Sequence, residues 1–328
     1  MILILTNEKD EHADHVINML AKQDVASVRF DSVEFPQRAS ISVQYGPQGA
    51  CRQLLRSKDA SLDLNSVKAV WYRRPGFPVA SESLPDKSAH GYVTQECYLV
   101  LQGLWAASGA AWLPGPPAAV RYADQKILQL QIAAKLGFEL PPTLITNCPA
   151  DLLDFYSGYD GQIVSKLAGS AFPYHIGLGM VRFTELVSKR DIASYQAVAH
   201  CPTIFQSYIE KQLELRITVV GEHVFAAEIH SQATNHTRYD WRRYDSGRTP
   251  YHIHALPSEV AQQCLALVRH FGLSYGAIDM ILTPDGRYVF LEINPNGQYL
   301  WIEEMTSMPI SAAICDFLVT GNVTSCND

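Results

Sequence analysis

The sequence predicts an α/β fold at its start and an α+β arrangement in its C-terminal part. Three observations point there. Residues 2–5 are apolar, residues 14–23 carry Val16, Ile17, Met19, Leu20 and Ala21 at mostly helical spacing, and residues 25–30 are apolar again. That strand–helix–strand pattern begins an open α/β sheet. Residues 276–297, GAIDMILTPDGRYVFLEINPNG, read instead as an antiparallel hairpin. The hydrophobic share of 47% and charged share of 18% are those of a globular protein in water. At 328 residues the chain is longer than one domain, since domains commonly run ~100–150 residues.

In order, the first turn (Thr6 to Asp10) contains no glycine, which disfavours a dinucleotide site of the Rossmann kind. Residues 41–45 and 67–72 are further strands. The second runs into Arg73 and Arg74 before a proline. Paired arginines where a strand gives way to a loop suit a carboxylate or phosphate, and are the candidate substrate contacts; solvated charges before a turn are the alternative. Residues 92–107 read as a long helix, and 112–117, WLPGPP, as a boundary. A helix carrying Lys126 is expected over 122–136, ended by Gly137, then a strand through Ile145. Residues 162–167 form a short strand with Lys166 near its end, before a loop rich in glycine. Residues 202–209 and 213–220 are expected to pair as strands, with 224–229 returning beside them. A helix follows over 258–271, and another over 310–318. The last seven residues read as a frayed tail.

The hairpin carries the clearest chemical signal. With Asp285 and Gly286 as a two-residue loop, Leu282 pairs with Val289, Met280 with Leu291, and Asp279 with Glu292. A bulged turn at Gly286 shifts this by one residue. Val289, Leu291 and Ile293 fall on one face, with Tyr288, Phe290, Glu292 and Asn294 on the other. Two carboxylates directly opposed in an apolar hairpin repel, and a cation between them removes the conflict. Asp279, Glu292 and Asn294 offer oxygen donors, suited to Mg²⁺ or Mn²⁺ rather than zinc. An ordinary hairpin with an exposed acidic face is the alternative.

The net charge of −7 argues against a general nucleic-acid binder. The seven cysteines are widely spaced and show no C-x₂-C pair, so they read as reduced thiols of a cytoplasmic protein. The N-terminus lacks the features of a signal peptide, and residues 98–113 are too interrupted for a membrane span. No membrane partner is expected. Histidines 12, 15, 252, 254 and 270 show no matching carboxylate or cysteine pattern and read as surface or core residues. His230 and Ser231 point opposite ways on a strand, so they make no hydrolase dyad. Trp301 is a candidate for the substrate mouth.

Two lysines about 40 residues apart, a polar hinge strand and an Asp/Glu/Asn cluster near the end resemble, in that order, the ATP-grasp superfamily. More narrowly, VWYRRP, DQKILQLQIAAKLGFELPPTLITN, LELRITVVGEHVFAAEIHSQ, DWR and GAIDMILTPDGRYVFLEINPNGQ look like the microviridin-type peptide-maturing ligases, or graspetide synthetases. The resemblance implies an ATP-grasp fold behind an N-terminal open α/β pre-ATP-grasp domain, divided as 1–117, 118–200 and 201–328. It implies ATP and magnesium as cofactors. The activity implied is formation of ester or amide crosslinks between side chains of a ribosomal precursor peptide with a leader segment, through an acyl phosphate. Lys126 and Lys166 would contact ATP phosphates. Gln206, Tyr208 and Ile209 would line the adenine hinge, and Glu214 would hold the ribose. Arg216 would face the phosphate and acyl group. Asp279, Glu292 and Asn294 would hold the metal. Arg242 would steady an oxyanion or leaving phosphate, with Asp240 as proton acceptor or orienter. Some relatives carry an acid where Ser207 stands. A homodimer is compatible with the family. The competing expectation is an ATP-grasp ligase that joins a free amino acid to a small acid or a peptide end.

Overall fold

The computed structural model describes residues 1–49, 51–58, 60–167, 184–233 and 250–321. The chain opens with β1 (Ile2–Thr6), α1 (Glu11–Lys22) and β2 (Ser27–Phe30). Asp10 caps α1 by accepting from the His12 amide at 3.1 Å. An antiparallel three-stranded sheet follows: β3 (Ser40–Tyr45), β4 (Cys51–Arg56) and β5 (Ser61–Asp63). Then come β6 (Ala69–Arg74), α2 (His90–Ala107) and β7 (Ala111–Leu113). The first sheet has the order β2-β1-β6-β7 and is parallel throughout. Its central strand β1 is buried at every position, as a parallel strand covered on both faces should be.

The single helix expected over 122–136 is two: α3 (Pro117–Ala123) and α4 (Lys126–Lys135). Gln125 is extended, at φ −76° and ψ 103°, and breaks the run. Lys126 therefore opens a helix instead of lying inside one.

The middle of the chain contributes β8 (Thr143–Thr146), α5 (Pro149–Gly158), β9 (Ile163–Lys166), β10 (Glu185–Leu186), α6 (Lys189–Ala193) and β11 (Thr203–Ser207). These strands make an antiparallel sheet in the order β10-β9-β11-β8. The C-terminal part contributes β12 (Leu213–Val220), β13 (His223–Ile229), β14 (Tyr251–Ile253), α7 (Ser258–His270), β15 (Tyr275–Leu282), β16 (Tyr288–Asn294), α8 (Leu300–Thr306) and α9 (Ile310–Thr320). Its sheet runs β14-β13-β12-β15-β16, antiparallel. The strands 202–209 and 213–220, expected to pair, belong to different sheets. Between them the Tyr208 amide donates to Gln162 in the middle sheet, and the Gln212 amide to Leu282 in the last. Residues 208–212 are thus the crossing between sheets. β11, which follows residue 200, bonds to β8 and β9 of the middle sheet.

Strand alternation sorts the last sheet into two faces. Leu213, Leu215, Ile217 and Val219 pack with Ile278, Met280, Phe290, Ile293 and α7 in one core cluster. Glu214, Arg216 and Asp279 alternate with those apolar positions, so they point to the other face.

Candidate functional site

The β15–β16 hairpin builds the centre of the site. The Thr283 amide donates to Arg287 and the Gly286 amide to Thr283, with Gly286 at φ +85°. The loop is therefore the three residues Pro284, Asp285 and Gly286, with glycine in the left-handed position that such loops require. This sets Leu282 opposite Tyr288, Ile281 opposite Val289 and Met280 opposite Phe290. A bulge then shifts the register, and Asp279 pairs with Glu292. The extra residue is Leu291. The expected pairs of Leu282 with Val289 and Met280 with Leu291 do not occur. The expected Asp279–Glu292 pair does, because the two irregularities cancel. The bulge also corrects the faces. Phe290 joins Ile293 in the core, while Glu292 and Asn294 stay with Asp279.

Two cations answer the paired acids. Arg216 lies opposite Asp279 on β12, and its Nη1 donates to both carboxylate oxygens at 2.9 Å. Its Nη2 donates to the Gln298 carbonyl at 3.0 Å. Burial alone would lower the Arg216 pKa; Asp279 outweighs it and raises the value, so the guanidinium is held charged. Lys126 Nζ lies 2.5 Å from Glu292 Oε2. Asn294 Nδ2 bridges the acids, at 3.1 Å from Asp279 Oδ2 and 3.2 Å from Glu292 Oε1. Lys126, Arg216, Asp279, Glu292 and Asn294 are therefore brought into one network.

Several supports had no role in the sequence reading. Gln129 is 1% exposed on α4. Its Nε2 donates to the carbonyls of Ala123 and Ile293 at 2.6 and 2.8 Å, and its Oε1 accepts from the Ile293 amide at 3.2 Å. It clamps the residue between Glu292 and Asn294. A glutamine inside the apolar run ILQLQIAA was the available signal. Gly297 touches Arg216 so closely that a Cβ there would lie 2.7 Å from Nη2 and 2.3 Å from the Ala277 Cβ. Lys211 Nζ lies 2.7 Å from Glu214 Oε1.

The nucleotide candidates occupy the crossing and the strands beside it. Glu214 is buried, and among the described residues its Oε2 has no hydrogen-bond partner. Gln206 is buried on β11; its Nε2 donates to Thr143 Oγ1 at 3.0 Å, and its Oε1 has no partner among the described residues. Tyr208 and Ile209 lie in the crossing, partly buried, and Lys166 ends β9. Asp240 and Arg242, the glycine-rich loop after Lys166 and the last seven residues lie outside the described residues.

The residues present fit both implied groups. Two carboxylates and an amide oxygen are the hard donors that magnesium takes, and Asp279, Glu292 and Asn294 would supply them. Among the described residues no three of His, Cys, Asp and Glu gather as a metal cluster. The unpartnered Glu214 oxygen fits a hydroxyl donor such as a ribose.

Arg73 is buried at the end of β6, and its Nη1 donates to the Asn296 carbonyl at 2.7 Å. Arg74 reaches the same oxygen at 3.4 Å. The arginine pair thus sits against the 295–298 strap that leaves Asn294. The histidines need one correction. His254 Nδ1 and His230 Nε2 do have a carboxylate, Glu228, at 2.7 and 2.9 Å, and His254 Nε2 meets the Tyr288 hydroxyl at 2.9 Å. Glu228 alternates with Arg216-facing Ala227 and lies on the face opposite the site.

The profile of the RimK-like ATP-grasp domain matches residues 123–318. The chain belongs to the RimK-like ATP-grasp family. The MvdD pre-ATP grasp domain matches residues 1–118 of this ATP-grasp ligase. Among solved structures, it resembles the macrocyclase MdnC of Microcystis aeruginosa MRC, bound with precursor peptide MdnA. That likeness is 36% identity over 97% of this chain and 99% of the other, with TM-score 0.84. A RiPP-associated ATP-grasp ligase of Chryseobacterium gregarium, in complex with ADP and a leader and core peptide, is 32% identical over 98% and 97%, with TM-score 0.89. The macrocyclase MdnB of Microcystis aeruginosa MRC is 32% identical over 97% and 98%, with TM-score 0.79. No curated protein sequence matches the chain. Among the described residues no helix is long and apolar enough to cross a membrane.

Proposed function

We propose that this ligase joins side chains within a ribosomal precursor peptide. ATP phosphorylates a side-chain carboxylate, releasing ADP and leaving an acyl phosphate. A hydroxyl or amine of the same peptide attacks the acyl carbon, expels phosphate and loses a proton, giving an ester or amide. The observation that carries the proposal is the Lys126–Glu292–Asn294–Asp279–Arg216 network, in a chain that aligns over nearly its full length with peptide-bound relatives.

Phosphoryl transfer needs negative charge neutralised at fixed positions. Arg216 is held on Asp279 and aimed by the Gln298 carbonyl. Lys126 and Lys166 are proposed to meet the phosphates, Glu214 the ribose, and Gln206, Tyr208 and Ile209 the base. A divalent ion on Asp279, Glu292 and Asn294 would add charge neutralisation; Mg²⁺ is proposed, with Mn²⁺ as the other ion such donors accept. Arg242 is proposed to steady the oxyanion or leaving phosphate, and Asp240 to orient or accept the proton. The units are proposed as 1–117, 118 to the 208–212 crossing, and the remainder. A reducing, cytoplasmic setting agrees with free thiols at all six described cysteines. A homodimer, tested by sedimentation, is supported by the exposed Tyr92, Leu99 and Val100 on α2, which holds Glu96 and no Asp, Lys or Arg. No nucleic acid is proposed as partner.

The test is mass spectrometry of a candidate precursor with its leader, incubated with enzyme, ATP and Mg²⁺. A loss of about 18 Da per bond, one water each, is expected. A gain of one amino-acid residue would replace this proposal by ligation of a free amino acid.

A further inference from the structure

A cavity of about 310 Å³ opens where the carboxyl ends of β1 and β6 meet the strap and α8. His12, Arg73, Arg74, Gln298, Trp301 and Glu304 are among the residues that line it. Lys126, Arg216, Asp279, Glu292 and Asn294 do not. Gln298 of the strap lines it, and the Gln298 carbonyl accepts from Arg216 Nη2 at 3.0 Å, so the strap stands between the cavity and that network.

Its floor is short of negative charge. Arg73 is 2% exposed, and its Nη2 has no hydrogen-bond partner among the described residues. Its Nε stands 3.5 Å from Asp10 Oδ2, an oxygen that already accepts from Thr6 Oγ1 at 2.7 Å. The neighbouring Arg74 shares the Asn296 carbonyl with Arg73 and has no carboxylate partner among the described residues. Two guanidinium groups thus converge on one neutral oxygen with one acid between them. Desolvation and then the like charge of Arg73 lower the Arg74 pKa, a cost that an anion placed there would offset. His12 is 9% exposed, and its Nδ1 also lacks a partner among the described residues. Glu304 and Glu11 on the lining and Lys9 complete the charged groups.

We infer that this cavity grips one acidic side chain of the peptide, on Arg73 Nη2 and Arg74 with His12 beside them, as an anchor distinct from the carboxylate that reacts. The assignment rests on the peptide substrate proposed above and deepens it. A carboxylate supplies two acceptor oxygens for the forked guanidinium donors. The planar wall of Trp301 covers the aliphatic part of such a side chain. An anchored residue fixes which neighbouring carboxylate reaches the far side of the strap, so the cavity sets specificity by position.

The test pairs Arg74→Gln with a scan that replaces each acidic residue of the crosslinked peptide by its amide. In Arg74→Gln the peptide KM should rise about tenfold or more, the scale of a lost charge-assisted hydrogen bond, with kcat and the KM for ATP within twofold. One amide substitution should raise the wild-type KM equally and add nothing in the variant. Additive effects, an unchanged KM, or a fall confined to kcat would overturn the inference. A second measurement needs no bond formation. N-acetylglutamate α-amide should change tryptophan fluorescence in the wild type, and the change should be lost in Trp301→Phe and Arg74→Gln. N-acetylglutamine α-amide should give none. Equal responses to the two compounds would sink the anchor even where crosslinking is confirmed, and a selective response would stand even where no crosslink forms.

Discussion

Glu292 holds two partners at once: Lys126 on one oxygen and the Asn294 amide on the other. Removing its charge while keeping its shape should take this anion from Lys126 and leave the proposed metal donor set one carboxylate short. Glu292→Gln is expected to lower ATP-dependent product formation at least ~100-fold, the scale of losing one preorganised electrostatic contact. Its magnesium requirement should shift upward. Assays across a magnesium titration check this, and unchanged activity would remove Glu292 from the metal site. A different residue sets pH sensitivity. Burial, and then Arg73, push the His12 pKa down to about 3. The unfolded histidine takes a proton near pH 6.5 and the folded one does not. Stability is therefore lost as pH falls below that value, at up to ~1.4 kcal/mol per pH unit. Unfolding midpoints measured from pH 7 to 5, above the carboxylate range, should decline in the wild type and flatten in His12→Gln. Parallel curves would assign the decline elsewhere.

At the scale of elements, α4 delivers Lys126 from its first turn and Gln129 from its buried side, so one helix serves both the charge and the backbone of β16. Gln129→Met should strand the Ile293 amide and carbonyl in the core, at a cost of about 1–3 kcal/mol. The Ile293 amide should exchange with solvent faster than its neighbours on β15. A stability change within 0.3 kcal/mol, roughly the noise of independent sites, would show that the clamp is dispensable. Much of this element was legible beforehand, and the failures have physical causes. The pairing of Asp279 with Glu292 followed from turn chemistry and alternation. It came out correctly although Gly286 lengthened the loop and Leu291 bulged, because each shifted the register by one in opposite senses. The position of Phe290 was misjudged for the same reason, since a bulge leaves no mark in a run of alternating residues. The break at Gln125 was hidden because the residues on both sides favour a helix. The strands β4 and β5, and the short helices α5, α6 and α8, carried patterns too brief to separate from loop. The crossing of β11 and β12 into different sheets depends on partners distant in sequence, which local periodicity does not encode.

For the molecule as a whole, the decisive contacts span the greatest separation. Arg73 and Asn296 lie 223 positions apart, and no motif joins them. Yet the strap 295–298 ties the first sheet to the site from both sides. The Asn296 carbonyl accepts from Arg73 and Arg74, and its side-chain amide, assigned with Nδ2 inward because its surroundings offer only acceptors, donates to the carbonyls of Tyr72 and Arg73 at 2.8 and 3.1 Å. Tyr275 donates its hydroxyl to the Gly297 carbonyl at 2.7 Å, and Arg216 donates to Gln298. Arg216, proposed to face the phosphoryl group, and Arg73, on the floor of the cavity, are thus held by alternate carbonyls of one four-residue segment. Asn296→Ala keeps the carbonyl but frees the strap from the end of β6. It should cost about 1–2 kcal/mol of stability for the two lost hydrogen bonds. Its larger effect should fall on peptide turnover, because both arginines depend on where the strap lies. Binding of ADP, whose ribose and base are proposed to lie on Glu214 and Gln206, should stay within twofold. Calorimetry of ADP binding beside turnover of the peptide separates the two. A variant that loses ADP affinity and turnover together would mean that the strap supports the whole fold. Loss of turnover alone would make it the link through which the N-terminal sheet sets the geometry of the bond-forming step.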